Sequence, residues 1–448
     1  MRKIRVNVTI NELMKGIRLM KNILFIAYQF PPFGGSHSTR TVAMANAMAS
    51  KNKVYVIAPK IGNELPMYDN ELIGKLSKDV SIISVDLGIF HTKYYKKYND
   101  NIDCNKTSLN NKRGFKEILK KNIKKYKEKF LIPDPVIDWY PEVMKNIDEI
   151  VTKINPDIII SSASPYTCHL IGYKISRKYN LTLVLDYGDP WVYEHSRKRG
   201  KLRFYLEKRL ESKILDHSKK IYVTTTTTRE LYLKKFNIPT DKIDVLTMGF
   251  YEDDFKDTTL NTINSDKINI IYGGSLNPIH RNPIPFFKAI NKLSNEIKEV
   301  LNIEIYCNDN SYKKNLSELN LVDTIKFKPI IEHDKFMKKL KDYNLLLLFG
   351  NSSSLQVPGK VFNYIGSLTK IYIINNIKEY ADDPTYNIIS KAGDNFHSYN
   401  EEIEILKEIQ KIYSDWKQGK LNKNMKCKAT KYTWENIMEK IIYDIDKI

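Results

Sequence analysis

Cysteine is scarce: four residues in 448 (Cys104, Cys168, Cys307 and Cys427), scattered along the chain with no CxxC pair. That spacing indicates neither a zinc site nor a disulfide framework, and it suits a reducing compartment. No apolar run approaches the ~18 residues that a membrane-spanning helix needs. The first twenty residues, MRKIRVNVTINELMKGIRLM, lack the compact apolar core of a secretory leader. With Met20-Lys21 directly before the first apolar run, residues 1–20 read as an N-terminal extension.

Hydrophobic residues make up 42% of the chain and aromatics 11%, enough for real cores, and the length suits two domains. The net charge of +20 is uneven: residues 1–21 carry +5 and residues 93–131 carry +9, so the rest is only mildly basic. Within the second stretch, Phe115, Ile118, Leu119, Ile123, Tyr126 and Phe130 fall at helical spacing against lysines. This is either an ordinary solvated helix or one that adsorbs to an anionic membrane. Nucleic acid is less favoured, because no recognisable binding motif accompanies the patch.

Short apolar runs predict strands at Ile23–Ala27, Val54–Pro59, Val80–Val85, Ile158–Ile160, Leu181–Leu185 and Ile221–Thr224. A second series is expected at Ile268–Tyr272, Ile303–Cys307, Ile325–Phe327 and Leu345–Leu348, with helices between the strands and a polar, acidic linker near 250–267. Both series begin with a strand running into Gly-Gly: Gly34-Gly35-Ser36 in the first and Gly273-Gly274-Ser275 in the second. Paired glycines let the backbone approach a ligand closely, though each pair read alone is equally a tight turn. Arg281 follows the second pair, and Gln356-Val357-Pro358-Gly359-Lys360-Val361 follows the Leu345–Leu348 strand. An arginine fork and a lysine near the start of a helix can grip a diphosphate; taken singly, both are equally solvated surface residues.

The strings YQFPPFGGSHSTR (Tyr28 to Arg40), LIPDPVIDW (Leu131 to Trp139), PDIIISSASPYTCHLIG (Pro156 to Gly172), DYGDPW (Asp186 to Trp191), KKFNIPTDKIDVLTMGFYEDDF (Lys234 to Phe255) and VPGKVFNYIG (Val357 to Gly366) stand in that order. As a set they resemble a GT-B glycosyltransferase of the family 4 type. The resemblance implies an α/β chain of two Rossmann-like, doubly wound domains facing across a cleft. The acceptor domain would be 21–250 (with the basic segment 93–131), the nucleotide-sugar domain 251–427, and 428–448 a helix crossing back. It also implies retention at the anomeric carbon, a UDP- or GDP-sugar donor, and neither metal nor cofactor. Here the leaving diphosphate would be neutralised by Arg281, Lys360 and backbone amides. The one Asp-x-Asp string, Asp444-Ile445-Asp446, lies in the last predicted helix, away from any expected metal position.

On this resemblance Gly273, Gly274, Ser275, Arg281, Gln356, Gly359, Lys360, Val361 and Asn363 hold the donor, Asn363 at its ribose. Gly34, Gly35, Ser36 and Ser164 line the acceptor side. Asp186 and Asp189 are candidate acceptor-orienting carboxylates, with loop capping as their equal alternative. Several positions depart from the family pattern. The glutamate pair eight residues apart falls on Leu355 and Asn363, Gly188 stands for an arginine, Met248 precedes Gly249 where Asn is common, and Ser161–Ser164 replace a histidine. The expectation is a cytoplasmic enzyme of surface polysaccharide or glycolipid assembly, seated on the inner face of the membrane through 93–131, with a sugar or lipid-linked acceptor. A nucleotide-sugar epimerase of the same fold, a catalytically degenerate member and a basic nucleic-acid-binding protein remain as alternatives.

Overall fold

Asn22–Ala27 (β1) is buried from Ile23 onward, and a run of that kind belongs to a strand covered on both faces of its sheet. A computed structural model describes residues 20–62, 68–88, 131–194, 197, 199–256, 266–278, 280–308, 311–421 and 429–448. The N-terminal extension and the amphipathic stretch Phe115–Phe130 lie outside the described residues, as does most of the basic segment 93–131.

In the described residues β1 pairs in parallel with Lys53–Pro59 (β2) on one side and Ile158–Ala163 (β4) on the other. Val80–Val85 (β3), Thr182–Tyr187 (β5), Lys220–Val223 (β6) and Ile243–Val245 (β7) complete a seven-stranded sheet of order β3-β2-β1-β4-β5-β6-β7. A six-stranded sheet follows, from Ile268–Gly273 (β8), Leu301–Tyr306 (β9), Ile325–Lys328 (β10), Leu345–Phe349 (β11), Ile371–Asn375 (β12) and Phe396–Tyr399 (β13). Its order, β10-β9-β8-β11-β12-β13, repeats the doubly wound logic of the first. In such sheets the strand order reverses beside the first strand, and ligands bind beyond the carboxyl ends there. The reversal falls between β1 and β4 in one sheet and between β8 and β11 in the other.

The helices that bear on the ligand-facing loops and on the surface are Ser36–Ala49 (α1), Thr167–Tyr179 (α2), Lys201–His217 (α3), Thr226–Phe236 (α4), Lys360–Gly366 (α5) and Trp434–Lys447 (α6). α2 and α4 each stop on an asparagine in the left-handed conformation, Asn180 and Asn237, which tolerates that geometry better than most residues.

The chain divides into two compact units. One comprises Met1–Asp186, Tyr205–Lys220 and Ile441–Ile448; the other comprises Tyr187–Phe204 and Ile221–Lys440. The two sheets meet in sequence between β7, ending at Val245, and β8, beginning at Ile268, whereas the units divide elsewhere, including inside α3 and α6.

Two short helices, Trp139–Lys145 and Ile147–Ile154, precede β4 and are separated at Asn146. β12, β13 and the helices Pro384–Ala392 and Glu402–Lys417 lie where the sequence reading names no element. β12 was legible, since Ile371–Ile374 is a continuous apolar run and wholly buried.

Candidate nucleotide-sugar site

The second unit gathers most of the residues expected to hold a donor. β8 ends at Gly273, and Gly274 takes φ +138°, a backbone conformation that side-chain-bearing residues rarely adopt. A β-carbon on Gly274 would collide with Lys360 Nζ, and one on Gly273 with the Phe336 ring. Both glycines therefore make room for neighbours as well as for a turn.

Lys360, at the start of α5, hydrogen-bonds the Gly273 carbonyl, and its ammonium lies 4.6 Å from the centroid of the Tyr272 ring. Burial, followed by the Arg281 charge, pushes its pKa down to about 7. Arg281 is brought back by a two-way backbone bond with Asn277 and donates to Ser275 Oγ at 3.0 Å and Asn351 Oδ1 at 3.4 Å. Its Nε is buried with no hydrogen-bond partner. Gly273, Gly274, Ser275, Arg281 and Lys360 thus form one cluster at the reversal point between β8 and β11. Asn363 lies half-buried one helical turn beyond Lys360, on the same side of α5. Val361 is buried in the core, so its place here is packing.

Asparagines that the sequence reading missed fix this loop cluster. Asn376, just past β12, donates to the Gly350 carbonyl at 2.6 Å and the His280 carbonyl at 2.9 Å. Asn400, just past β13, donates to the Asn282 carbonyl at 3.1 Å and Asn376 Oδ1 at 2.9 Å. An asparagine directly after each buried strand was the available signal. Gln356 donates to Asp189 Oδ1 at 2.8 Å, and the Thr228 hydroxyl donates to the Leu355 carbonyl at 3.0 Å. The loop leading to Gly359 and Lys360 is therefore held at two adjacent residues. Burial and the Glu194 charge raise the Asp189 carboxyl to about 6, against the opposing pull of Gln356 and Arg197.

Asp186 is placed differently, in the other unit. Its carboxylate receives Arg40 Nη2 at 2.6 Å and Arg40 Nε at 3.1 Å, both residues being fully buried. Ser162 Oγ donates to it at 2.6 Å and stands 3.2 Å from His37 Nε2. Arg40 and the Ser162 bond outweigh burial and hold the Asp186 carboxyl below the usual carboxylate range. Burial lowers His37 to about 4. Arg40, at α1, and His37 were not among the expected site residues. Gly34, Gly35 and Ser36 lead into α1 above this network, Gly35 at φ +105°, and Ser164 follows β4. These four share the reversal point between β1 and β4.

A model of Glycosyltransferase Family 4 matches residues 107–252. Sucrose-phosphate synthase from Thermosynechococcus elongatus superposes with a TM-score of 0.64 at 13% identity, covering 95% of this chain and 98% of that one. Anabaena HepE, solved with UDP and glucose, gives 0.61 at 10% identity over 96% and 100%. The chain has the GT-B fold. A UDP-N-acetylglucosamine 2-epimerase shares that fold too, with a TM-score of 0.53 at 11% identity over 95% and 96%. No curated protein matches the sequence. Among the described residues, no helix of this GT-B chain is long and apolar enough to cross a membrane.

Arg40→Met should strand Asp186 as a buried carboxyl and cost about 3–5 kcal/mol of unfolding free energy. Because the Asp186 pKa is depressed in the folded chain, the stabilisation exists above its unfolded value, ~3.9, and disappears as pH falls through the folded one. Urea unfolding at neutral pH checks the first point. A loss under ~1 kcal/mol would put the pair in the class of exposed ion pairs.

Proposed function

We propose that the chain is a retaining, metal-independent glycosyltransferase that moves a sugar from a UDP- or GDP-sugar to an acceptor in surface polysaccharide or glycolipid assembly. The observation that carries the reading is the cluster of Arg281 and Lys360 around Gly273–Ser275. Two cations and an opened backbone at a doubly wound reversal point suit a diphosphate. The UDP bound by HepE supports a uridine nucleotide as the first donor to try. Retention and the acceptor class rest on the family resemblance.

In this reading Arg281 and Lys360 take up the negative charge that develops on the diphosphate as its bond to the sugar breaks. They do so without an ion, so no metal is assigned. Asn363 reaches the ribose, and Gln356 keeps the loop in place through Asp189. Asp189, raised to about 6, is a carboxyl able to orient an acceptor hydroxyl. Asp186, gripped by Arg40, holds the loops after β1 and β4 in position. A peripheral seat on the inner membrane face through 93–131 belongs to the same proposal.

Lys360→Ala and Arg281→Ala should each weaken UDP or UDP-sugar binding by about 10–100-fold, the worth of a charge-assisted hydrogen bond. Titration calorimetry against UDP and GDP tests this, and unchanged affinity in both variants would refute the site. The epimerase reading, favoured only by the shared fold, is separated by products: an epimerase alters the sugar with no acceptor present.

Free Lys360, lowered to about 7, is half neutral near that pH, while a bound diphosphate favours the ammonium. Binding should therefore take up a proton, and affinity should fall as pH rises above about 7. Calorimetry in buffers of different ionisation enthalpy reads this directly. Proton uptake that persists undiminished in Lys360→Ala would assign it to another group.

A further inference from the structure

α3 is a continuous helix with an unusual distribution of side chains. Its carboxylates Glu207 and Glu211 are fully buried, alongside Ile214 and Leu215. Its large apolar residues Leu202, Tyr205 and Leu206 are instead 73%, 60% and 44% exposed. At 3.6 residues per turn, Leu202, Tyr205, Leu206, Arg209 and Lys213 fall on one stripe. Arg209 and Lys213 are exposed, as is Lys201 at its N-terminal end. One carboxylate, Asp216, is exposed near the far end, 3.5 Å from Ser212 Oγ.

An ordinary surface helix turns its apolar face inward and its charges of both signs outward. Here Glu207 and Glu211 go inward beside Ile214 and Leu215, while Leu202, Tyr205 and Leu206 face water together with basic residues. Two or three exposed apolar side chains flanked by cations suit one environment in particular. Apolar tips enter the acyl boundary, and Lys and Arg remain among anionic headgroups.

We infer that the exposed stripe of α3 is a docking surface for an anionic lipid bilayer, with Leu202, Tyr205 and Leu206 inserting and Arg209 and Lys213 meeting phosphate headgroups. Charge complementarity selects the bilayer over a protein groove: exposed Lys201, Arg209 and Lys213 accompany the apolar patch, against the one exposed carboxylate of the helix, Asp216. This stripe lies outside the basic segment 93–131 in sequence, and its assignment does not depend on the nucleotide-sugar assignment.

The test is sedimentation with vesicles of phosphatidylglycerol in phosphatidylcholine, compared with phosphatidylcholine alone, at low salt and at about 0.5 M salt. Two variants of the full chain are compared with the parent: Leu202→Ser/Tyr205→Ser/Leu206→Ser and Arg209→Glu/Lys213→Glu. The parent should bind anionic vesicles and release them in salt. The charge reversal should weaken binding about tenfold or more, since each cation near such a surface is worth ~1 kcal/mol, about fivefold. The apolar variant should show a comparable loss, with residual binding fully salt-sensitive. Circular dichroism and UDP titration of the same samples report that fold and nucleotide site are intact, so either assignment can fail without the other. Equal vesicle binding by parent and both variants would overturn the inference, by placing any membrane contact elsewhere. Loss of a dimer in the apolar variant without change in vesicle binding would also overturn it, in favour of a second copy covering the stripe.

Discussion

The site depends on a constraint of electrostatics: two half-buried cations held close enough to act on each other. Such an arrangement costs free energy without an anion beside it, because each charge loses hydration and repels the other. Lys360 meets the cost by yielding its proton readily, with the Gly273 carbonyl and the Tyr272 ring as interim partners. On the proposed reading, a diphosphate would remove the cost by supplying opposite charge to both. The mutual repulsion of the two cations is thus what gives an incoming anion its advantage over neutral ligands.

Two carboxyls three residues apart illustrate how local surroundings divide labour. Asp186 sits at the end of β5 with Arg40 and Ser162 on its oxygens, and is pinned in the ionised state. Asp189 has Gln356 and Arg197 set against burial and Glu194, and is shifted the other way. Opposed shifts in neighbouring carboxyls usually mark different jobs. A group as firmly paired as Asp186 holds geometry, whereas a carboxyl balanced near neutrality can exchange a proton or a hydrogen bond as ligands come and go.

Much of this was readable in the chain because parallel strands buried on both faces are continuous apolar runs. Ile23–Ala27 and Leu345–Leu348 announce themselves without context, and the loops after Ile268–Tyr272 and Leu345–Leu348 then locate Gly273, Gly274 and Lys360. Pairings across long sequence separations were not readable. Arg40 and Asp186 are 146 residues apart, and only the folded sheet brings α1 over β5. The tie from Asn400 to the loop at Asn282 spans 118 residues and has no local signature beyond its place after a strand. The inversion of α3 escapes periodicity for another reason. Apolar spacing tells that a stripe exists but not whether it faces protein or solvent.

The missing acidic pair acquires a physical meaning from the same geometry. At the first of those positions Leu355 contributes its backbone carbonyl, which the Thr228 hydroxyl secures; at the second stands Asn363, a neutral hydrogen-bonding group. The influences acting on Lys360, in order of size, are burial, Arg281 and the Cys307 thiol, and no carboxylate is among those three. A glutamate at either position would add negative charge to the surroundings of the cationic pair, raise the Lys360 pKa and compete with a diphosphate for both cations. Its replacement by neutral groups concentrates the positive field on the anion instead. On the proposed reading, a neutral Asn363 would still donate to and accept from ribose hydroxyls, so recognition of the sugar ring would survive the loss of charge while the hold on a diphosphate would be strengthened.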